Sequence, residues 1–130
     1  MTDTAALARR FVEIMEARDW DEWSALLSPE VVYEMPQTGE RIRGRDSYRE
    51  FNETYPGDWH LQPKVVIGDG VRAVVWFDWR LRAEESGADE TGDAQVFLEF
   101  DDNGLITRVT DFWPEPYDPP ERAPGLIERW

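Results

Sequence analysis

The chain has 130 residues, of which 28 are acidic and 14 basic, so its formal charge is -14. A chain of this length fits one domain and buries about two-thirds of its unfolded surface on folding. The negative charge disfavours nucleic acid and anionic membranes as partners, and the absence of cysteine excludes disulfides, thiolate catalysis and cysteine-ligated metals.

The single histidine, His60, also excludes a metal site built from several histidines of one chain. Residues 1–4 lack the basic and apolar regions of a signal peptide. No apolar run approaches the roughly 20 residues of a membrane span. The default expectation is therefore a soluble cytoplasmic protein that binds no metal.

Three helices are predicted from the spacing of apolar side chains. One covers residues 3–18, and a shorter one covers residues 19–27 and ends before Pro29. A third helix is expected over residues 45–55, where it stops at Pro56.

The remaining segments have the apolar pattern of β-strands. A short strand is expected over residues 31–35, with a brief return over residues 41–44. Four longer strands follow, over residues 59–68, 71–84, 94–101 and 105–113. Asp69–Gly70 and Asn103–Gly104 are tight-turn signals, so we expect antiparallel hairpins there, with residues 85–93 as a polar loop.

A proline-rich tail follows the last predicted strand. Five prolines lie within residues 114–125. Proline lacks a backbone N–H, so this segment cannot join a central strand. We therefore expect residues 1–130 to form a single α+β domain, in which residues 114–130 are the tail.

The last predicted strand carries an acid in its apolar row. Because side chains alternate along a strand, Val109, Asp111 and Trp113 share one face. An ionised carboxylate between a valine and a tryptophan is costly unless it is paired, hydrated or used. This placement predicts a pocket beside Asp111.

The order of the elements resembles the nuclear transport factor 2-like superfamily, and within it the SnoaL-like polyketide cyclase and limonene-epoxide-hydrolase branches. Three stretches carry the resemblance: residues 26–31 (LLSPEV), residues 44–46 (GRD), and residues 104–106 (GLI) leading to Asp111. The resemblance implies a SnoaL-like α+β roll, a cone in which a curved antiparallel β-sheet wraps around three N-terminal helices.

The resemblance also implies how such a protein works. Members hold a small apolar ligand between sheet and helices, usually without a cofactor, and are commonly homodimers through the outer sheet face. We therefore expect a cofactor-free general acid–base enzyme that cyclises, isomerises or dehydrates a small apolar oxygenated molecule. A non-catalytic ligand-binding or dimerisation module of the same fold is the alternative, and an epoxide-hydrolase-like enzyme is a second one.

Asp111 is the leading catalytic candidate, since its position matches the acid on the last strand in both branches. Asp78 is a second. It points outward toward nearby arginines if the odd-numbered residues of the 71–84 strand face the helices, and could pair with Asp111 if the even-numbered residues do. Trp76 stands where an arginine organises the epoxide-hydrolase pair, which argues against that chemistry.

This chain lacks the proton-carrying side chains that ketosteroid isomerase uses. Matching of the elements places Phe11 at the oxyanion-hole tyrosine, Met35 at the general base and Val96 near the protonated aspartate. None of these side chains carries a transferable proton, so that chemistry is excluded.

Three further side chains are candidates for proton transfer. Tyr33 and Glu34 point to opposite faces of their strand, so at most one lines the pocket. A pocket tyrosine could hydrogen-bond a carbonyl, and a buried glutamate could act as a base. His60 is the only side chain whose ordinary pKa lies near neutrality.

The candidate ligand-binding residues are mostly aromatic. They are Phe11, Trp20, Met35, Tyr48, Trp76 and Trp113. Trp23 and Trp79 are expected to belong to the core or the pocket wall. Tryptophan walls suit a flat, apolar or aromatic ligand.

Overall fold

The structure is a computed structural model that describes residues 3–83 and 85–130. The helices are α1 (Thr4–Ala17), α2 (Trp20–Ser24) and α3 (Arg45–Glu53). The strands are β1 (Leu27–Met35), β2 (Glu40–Arg43), β3 (Asp58–Asp69), β4 (Arg72–Arg82), β5 (Asp89–Phe100) and β6 (Ile106–Phe112). All the predicted elements are present.

The six strands form one curved, unclosed sheet in the order β2-β1-β6-β5-β4-β3. The hairpins β3–β4 and β5–β6 are antiparallel, as the two turn signals predict, and β4 also pairs antiparallel with β5. The pair β1–β6 is parallel, so the sheet is not antiparallel throughout. With the helices on one face, the molecule has the predicted α+β architecture.

Two strands begin several residues before their predicted starts, because pairing overrides local sequence. Strand β1 begins at Leu27, whose partner is Ile106, and the register shifts before Val32. Strand β5 begins at Asp89, inside the predicted loop, because its first residues pair with the end of β4, where Asp89 lies opposite Arg82. Local composition cannot reveal such partners.

Helix α1 buries one side against β3 and β4. Its N-cap is Asp3, whose side chain accepts a hydrogen bond of 3.0 Å from the Ala6 backbone N–H. The side chains that it buries are Thr4, Ala8, Phe11, Val12 and Ile14. These face the apolar side of the sheet and close the core.

Strand β4 turns its odd-numbered residues toward the helices. Ala73, Val75 and Phe77 are buried, whereas Trp76 is 39% exposed. The same face of β5 carries Ala94, Val96 and Leu98, all buried. We call this the inner face of the sheet and the opposite one the outer face; the assignment decides which candidate residues can share a site.

Along residues 3–83 and 85–130, none of the helices has the length and apolar composition required to cross a membrane.

Candidate functional site

An open cavity of about 1360 Å³ lies between the inner face and the helices α1 and α3. Its wall is largely apolar and includes Phe11, Tyr48, Phe77 and Trp113. Four acidic side chains also line it: Glu90, Asp111, Glu115 and Glu128. Three of them are exposed, whereas Asp111 is largely buried.

The parallel pairing of β1 with β6 brings Tyr33 to Asp111. Tyr33 lies opposite Val109 in the register, with its side chain buried on the inner face. Its hydroxyl donates a hydrogen bond of 2.8 Å to Asp111 Oδ2. The Tyr33 ring stacks on Tyr48 with ring centroids 4.8 Å apart, which fixes the direction of the hydroxyl.

Burial raises the pKa of Asp111 from its ordinary value to about 6, against the opposing effects of the Trp113 indole and the Tyr33 hydroxyl. The raised pKa reflects the cost of an ionised carboxylate away from water. Asp111 Oδ1 is buried and has no hydrogen-bond partner in the described part of the chain. At pH 7 the carboxyl is mostly ionised, with roughly a tenth protonated, so it can both accept and return a proton.

The two tyrosines beside Asp111 remain protonated at neutral pH. Burial raises the pKa of Tyr33 far above its ordinary value, and the charge of Asp111 raises it further. The pKa of Tyr48 is raised for the same two reasons. Tyr33 is therefore a permanent donor that orients the carboxylate and stabilises its ionised form.

The cavity wall contains six of the residues selected from the sequence. They are Phe11, Tyr33, Met35, Tyr48, Asp111 and Trp113. Phe11, Met35 and Val96 all line the cavity, so the three positions that carry no transferable proton are indeed wall positions. Among the described wall residues, Asp111 is a buried titratable group whose pKa of about 6 lets it change its charge near neutral pH.

Three of the predicted residues face the other way, on the outer face of the sheet. Glu34 pairs with Arg41 at 2.7 Å and also with Arg108, which settles the Tyr33–Glu34 alternative in favour of Tyr33. Trp76 and Asp78 are placed outside the cavity by the alternation along β4, so the prediction that Trp76 binds the ligand is wrong. Asp78 points outward and pairs with a cation, as one of the two alternatives for this residue predicted.

That cation is Lys64, rather than one of the arginines on β4. Its Nζ lies 3.3 Å from Asp78 Oδ1 and 4.5 Å from the centre of the Trp76 ring. Asp78 therefore belongs to an exposed ion pair on the outer face, and it cannot form a carboxylate pair with Asp111.

His60 and Trp20 also lie outside the cavity lining. His60 Nδ1 is 2.9 Å from Glu16 Oε2 and its Nε2 is 3.0 Å from Asp58 Oδ1, so the ring ties α1 to the start of β3. Trp20 packs edge-on against Trp23. These contacts hold the start of β3 against the helices, and the neighbouring residues Trp59 and Leu61 of β3 line the cavity.

Several wall residues were not singled out from the sequence as ligand contacts. On the inner face they are Trp59, Leu61, Phe77 and Trp79, and in the tail they are residues 114–117 and 128–130. The apolar odd row of β4 was the signal for Phe77 and Trp79. Among the described residues, no three His, Asp or Glu side chains group closely enough to hold a metal ion.

The curved sheet, the helices on its inner face and the cavity between them define a protein of the nuclear transport factor 2-like superfamily. Residues 8–109 match the SnoaL-like domain family. The chain belongs to this family, as the resemblance predicted. A comparison with curated protein sequences gives no significant match.

Solved structures of the same fold include proteins described with different activities. A candidate ketosteroid isomerase from Kribbella flavida is 46% identical to this chain. The match covers 97% of this chain and 88% of the isomerase chain, and the two structures superpose with a TM-score of 0.87. A candidate polyketide cyclase from Xanthomonas campestris is 24% identical, with coverages of 85% and 90% and a TM-score of 0.73. A Mycobacterium tuberculosis protein in complex with estradiol-17beta-hemisuccinate is 16% identical, with coverages of 88% and 95% and a TM-score of 0.74.

Proposed function

We propose that this protein is a cofactor-independent general acid–base enzyme that moves a proton on a small, mostly apolar, oxygenated molecule. The observation that carries the proposal is the buried Asp111 carboxyl, with its pKa raised to about 6 by burial and its Oδ2 held by Tyr33. A general base works best when its pKa lies near the working pH. Isomerisation, cyclisation and dehydration are all reactions of this kind. An isomerisation here would use Asp111 as the base, because Phe11, Met35 and Val96 occupy the places of the ketosteroid isomerase residues.

The proposed step begins with ionised Asp111. The carboxylate takes a proton from a carbon next to a carbonyl group; the electrons of the broken C–H bond form a C=C bond, and the carbonyl oxygen becomes negative. Protonated Asp111 then returns the proton to the same or another carbon, and the carbonyl is restored. Tyr33 keeps the carboxylate in one orientation throughout, which limits the entropy lost in reaching the reactive geometry.

The character of the cavity wall supports this ligand class. Flat aromatic side chains, among them Trp79 and Trp113 with ring centroids 5.4 Å apart, favour a flat apolar ligand. The steroid derivative bound by the Mycobacterium tuberculosis protein is of this character.

Hydrogen–deuterium exchange tests the proposal without knowledge of the natural substrate. 1-Tetralone, a flat bicyclic ketone, is incubated with the protein in heavy water, and deuterium incorporation next to the carbonyl is followed by mass spectrometry. We expect exchange well above the protein-free rate, because reversible removal of that proton is the proposed chemistry. Exchange at the protein-free rate, by a protein that binds the ketone, would count against an enzyme.

A non-catalytic ligand-binding module is the second candidate. It is favoured by the position of His60, which lies outside the cavity, so that no histidine accompanies Asp111 among the described wall residues. The 1-tetralone experiment separates the two candidates, since such a module binds the ketone without exchange. Epoxide hydrolysis has weaker support, because Asp78 lies on the outer face.

Dimerisation through the outer face completes the proposal. Phe97 of β5 is 48% exposed there and meets Phe112 of β6 edge-on, with ring centroids 5.6 Å apart. Together with Trp76 these residues form an exposed apolar patch between charged side chains, which is typical of an interface.

A charge in this patch tests the dimer. We expect Phe97→Arg to convert a dimer into a monomer in analytical ultracentrifugation, because the arginine would be buried without a partner. Val71→Arg is the matched control, since Val71 is also an exposed apolar residue but lies in the turn between β3 and β4. A wild-type monomer, or a Phe97→Arg variant that stays dimeric, would rule out this interface.

A further inference from the structure

Three polar atoms of the cavity wall are buried and have no hydrogen-bond partner within the described chain. They are the indole Nε1 atoms of Trp79 and Trp113 and Oδ1 of Asp111. All three residues line the same cavity. Native proteins leave few buried polar groups unpaired, so a cluster of two donors and one acceptor in one cavity calls for a partner.

The two indoles do not have the same role. The Trp113 N–H lies close enough to Asp111 to lower the pKa of that carboxyl, although it forms no hydrogen bond of normal geometry. We therefore assign the Trp113 N–H to the carboxylate. The Trp79 N–H is buried and has no such acceptor among the described residues, so its missing partner would have to come from a molecule inside the cavity.

Gly92 determines where the Trp79 indole lies. The two residues are opposite each other in the β4–β5 register. A Cβ atom at Gly92 would lie 2.9 Å from Trp79 Cζ2 and 3.1 Å from its Nε1, closer than ordinary contacts allow. Gly92 does not have a positive φ, so the glycine provides space for the indole rather than an unusual backbone conformation.

We propose that Trp79, positioned by Gly92, donates the hydrogen bond that receives the oxygen of the ligand. The cavity then selects flat ring compounds that carry a carbonyl oxygen over the matching hydrocarbons. The proposal rests on the proposed function for the place of the ligand beside Asp111, to which Trp79 is linked through the adjacent ring of Trp113. In the proton-transfer step, the same N–H would stabilise the negative oxygen.

A pair of ligands with one skeleton tests the role of Trp79. 1-Tetralone has a carbonyl group where tetralin has one CH2 group, and the dissociation constants of both are measured by ligand-observed NMR titration. We expect the wild-type protein to prefer the ketone. Trp79→Phe, which keeps the aromatic ring and removes the N–H, should weaken ketone binding about 3- to 10-fold and leave tetralin within about twofold, the range for one hydrogen bond.

The ratio of the tetralin dissociation constant to that of 1-tetralone decides whether the Trp79 N–H binds the ligand oxygen. Equal weakening of both ligands by Trp79→Phe would mean that the ring, and not its N–H, binds the ligand, and would overturn it. No preference for the ketone, or no ketone binding, by the wild-type protein would also overturn it.

Gly92 is a positioning residue, and its role is tested through Trp79. We expect Gly92→Ala to bring the ratio of dissociation constants toward one, because the added methyl group displaces the indole. In the Trp79→Phe background, Gly92→Ala should leave the ratio unchanged. A further fall in that background would show that Gly92 does not act through the indole N–H.

These measurements are independent of turnover. If the ketone preference depends on Trp79 but 1-tetralone undergoes no exchange, the ligand site stands and the enzymatic function fails. If exchange occurs and depends on Asp111 while the binding ratio does not respond to Trp79→Phe, the enzyme stands and this inference fails.

Discussion

Replacement of Asp111 by asparagine should reduce the exchange of 1-tetralone by at least about 100-fold, the lower end of what a general acid–base contributes. Asparagine has the same shape and can still accept the hydrogen bond from the Tyr33 hydroxyl, but it cannot take up a proton. We therefore expect the dissociation constant of 1-tetralone to change little, while the exchange rate of the bound ketone falls to the protein-free level.

Asp78→Asn is the matched control for this variant. It removes an acid of the same type from the outer face, where the carboxylate pairs with Lys64, and exchange should continue at the wild-type rate. An Asp111→Asn variant that is fully active would remove Asp111 from the reaction. An equal loss of exchange activity in both variants would show that the substitutions damage the fold and not a catalytic group.

The same substitution should stabilise the folded protein, and the gain should depend on pH. Asp111 has a folded-state pKa of about 6 against about 3.9 in an unfolded chain. The wild-type protein therefore loses stability as the pH rises from about 4 to 6, because the carboxyl ionises more readily when unfolded. At 1.36 kcal/mol for each pKa unit, the full loss is up to about 3 kcal/mol above pH 6.

Asparagine does not titrate, so Asp111→Asn avoids this loss. The free energy of unfolding, measured by urea titration, should exceed that of the wild-type protein by about 1–3 kcal/mol at pH 8. The gain should vanish near pH 4, where the wild-type carboxyl is protonated in both states. A gain that is independent of pH, or a loss at pH 8, would show that the Asp111 carboxylate is not strained by burial.

Stability and activity would then change in opposite directions at one residue. Such a trade-off is expected when a functional group is held in an environment that penalises its charged form. It also explains why a carboxylate stands in the apolar row of β6, between Val109 and Trp113, where a valine or leucine would stabilise the fold more.

The sequence predicted most accurately which site residues share one face of a strand. It placed Asp111 and Trp113 on one face of β6, and the structure shows both on the cavity wall. It also limited Tyr33 and Glu34 to one inward residue, but the choice needed tertiary structure. The parallel β1–β6 pairing brings Tyr33 to Asp111, and no local pattern encodes a contact between residues 78 positions apart.

The remaining site predictions depended on orientations that periodicity leaves open. Trp76 was expected in the pocket because tryptophan is large and apolar, yet the odd row of β4 faces inward and Lys64 covers the outward Trp76 ring. The ordinary pKa of histidine makes His60 a candidate, whereas its position at the edge of the sheet gives the ring two carboxylate partners. The apolar residues at the end of the tail indicate that it docks, but they do not show where, because a proline-rich segment has no apolar period.

The pH dependence of 1-tetralone exchange tests the central claim most directly. After subtraction of the protein-free rate, exchange should rise with an apparent pKa of about 6, the value to which burial raises Asp111, and level off above it. In Tyr33→Phe the midpoint should move to higher pH, because the lost hydroxyl no longer lowers the pKa of the carboxyl. A midpoint near pH 4, or a rate that does not change between pH 4 and 8, would contradict the assignment of Asp111 as the base.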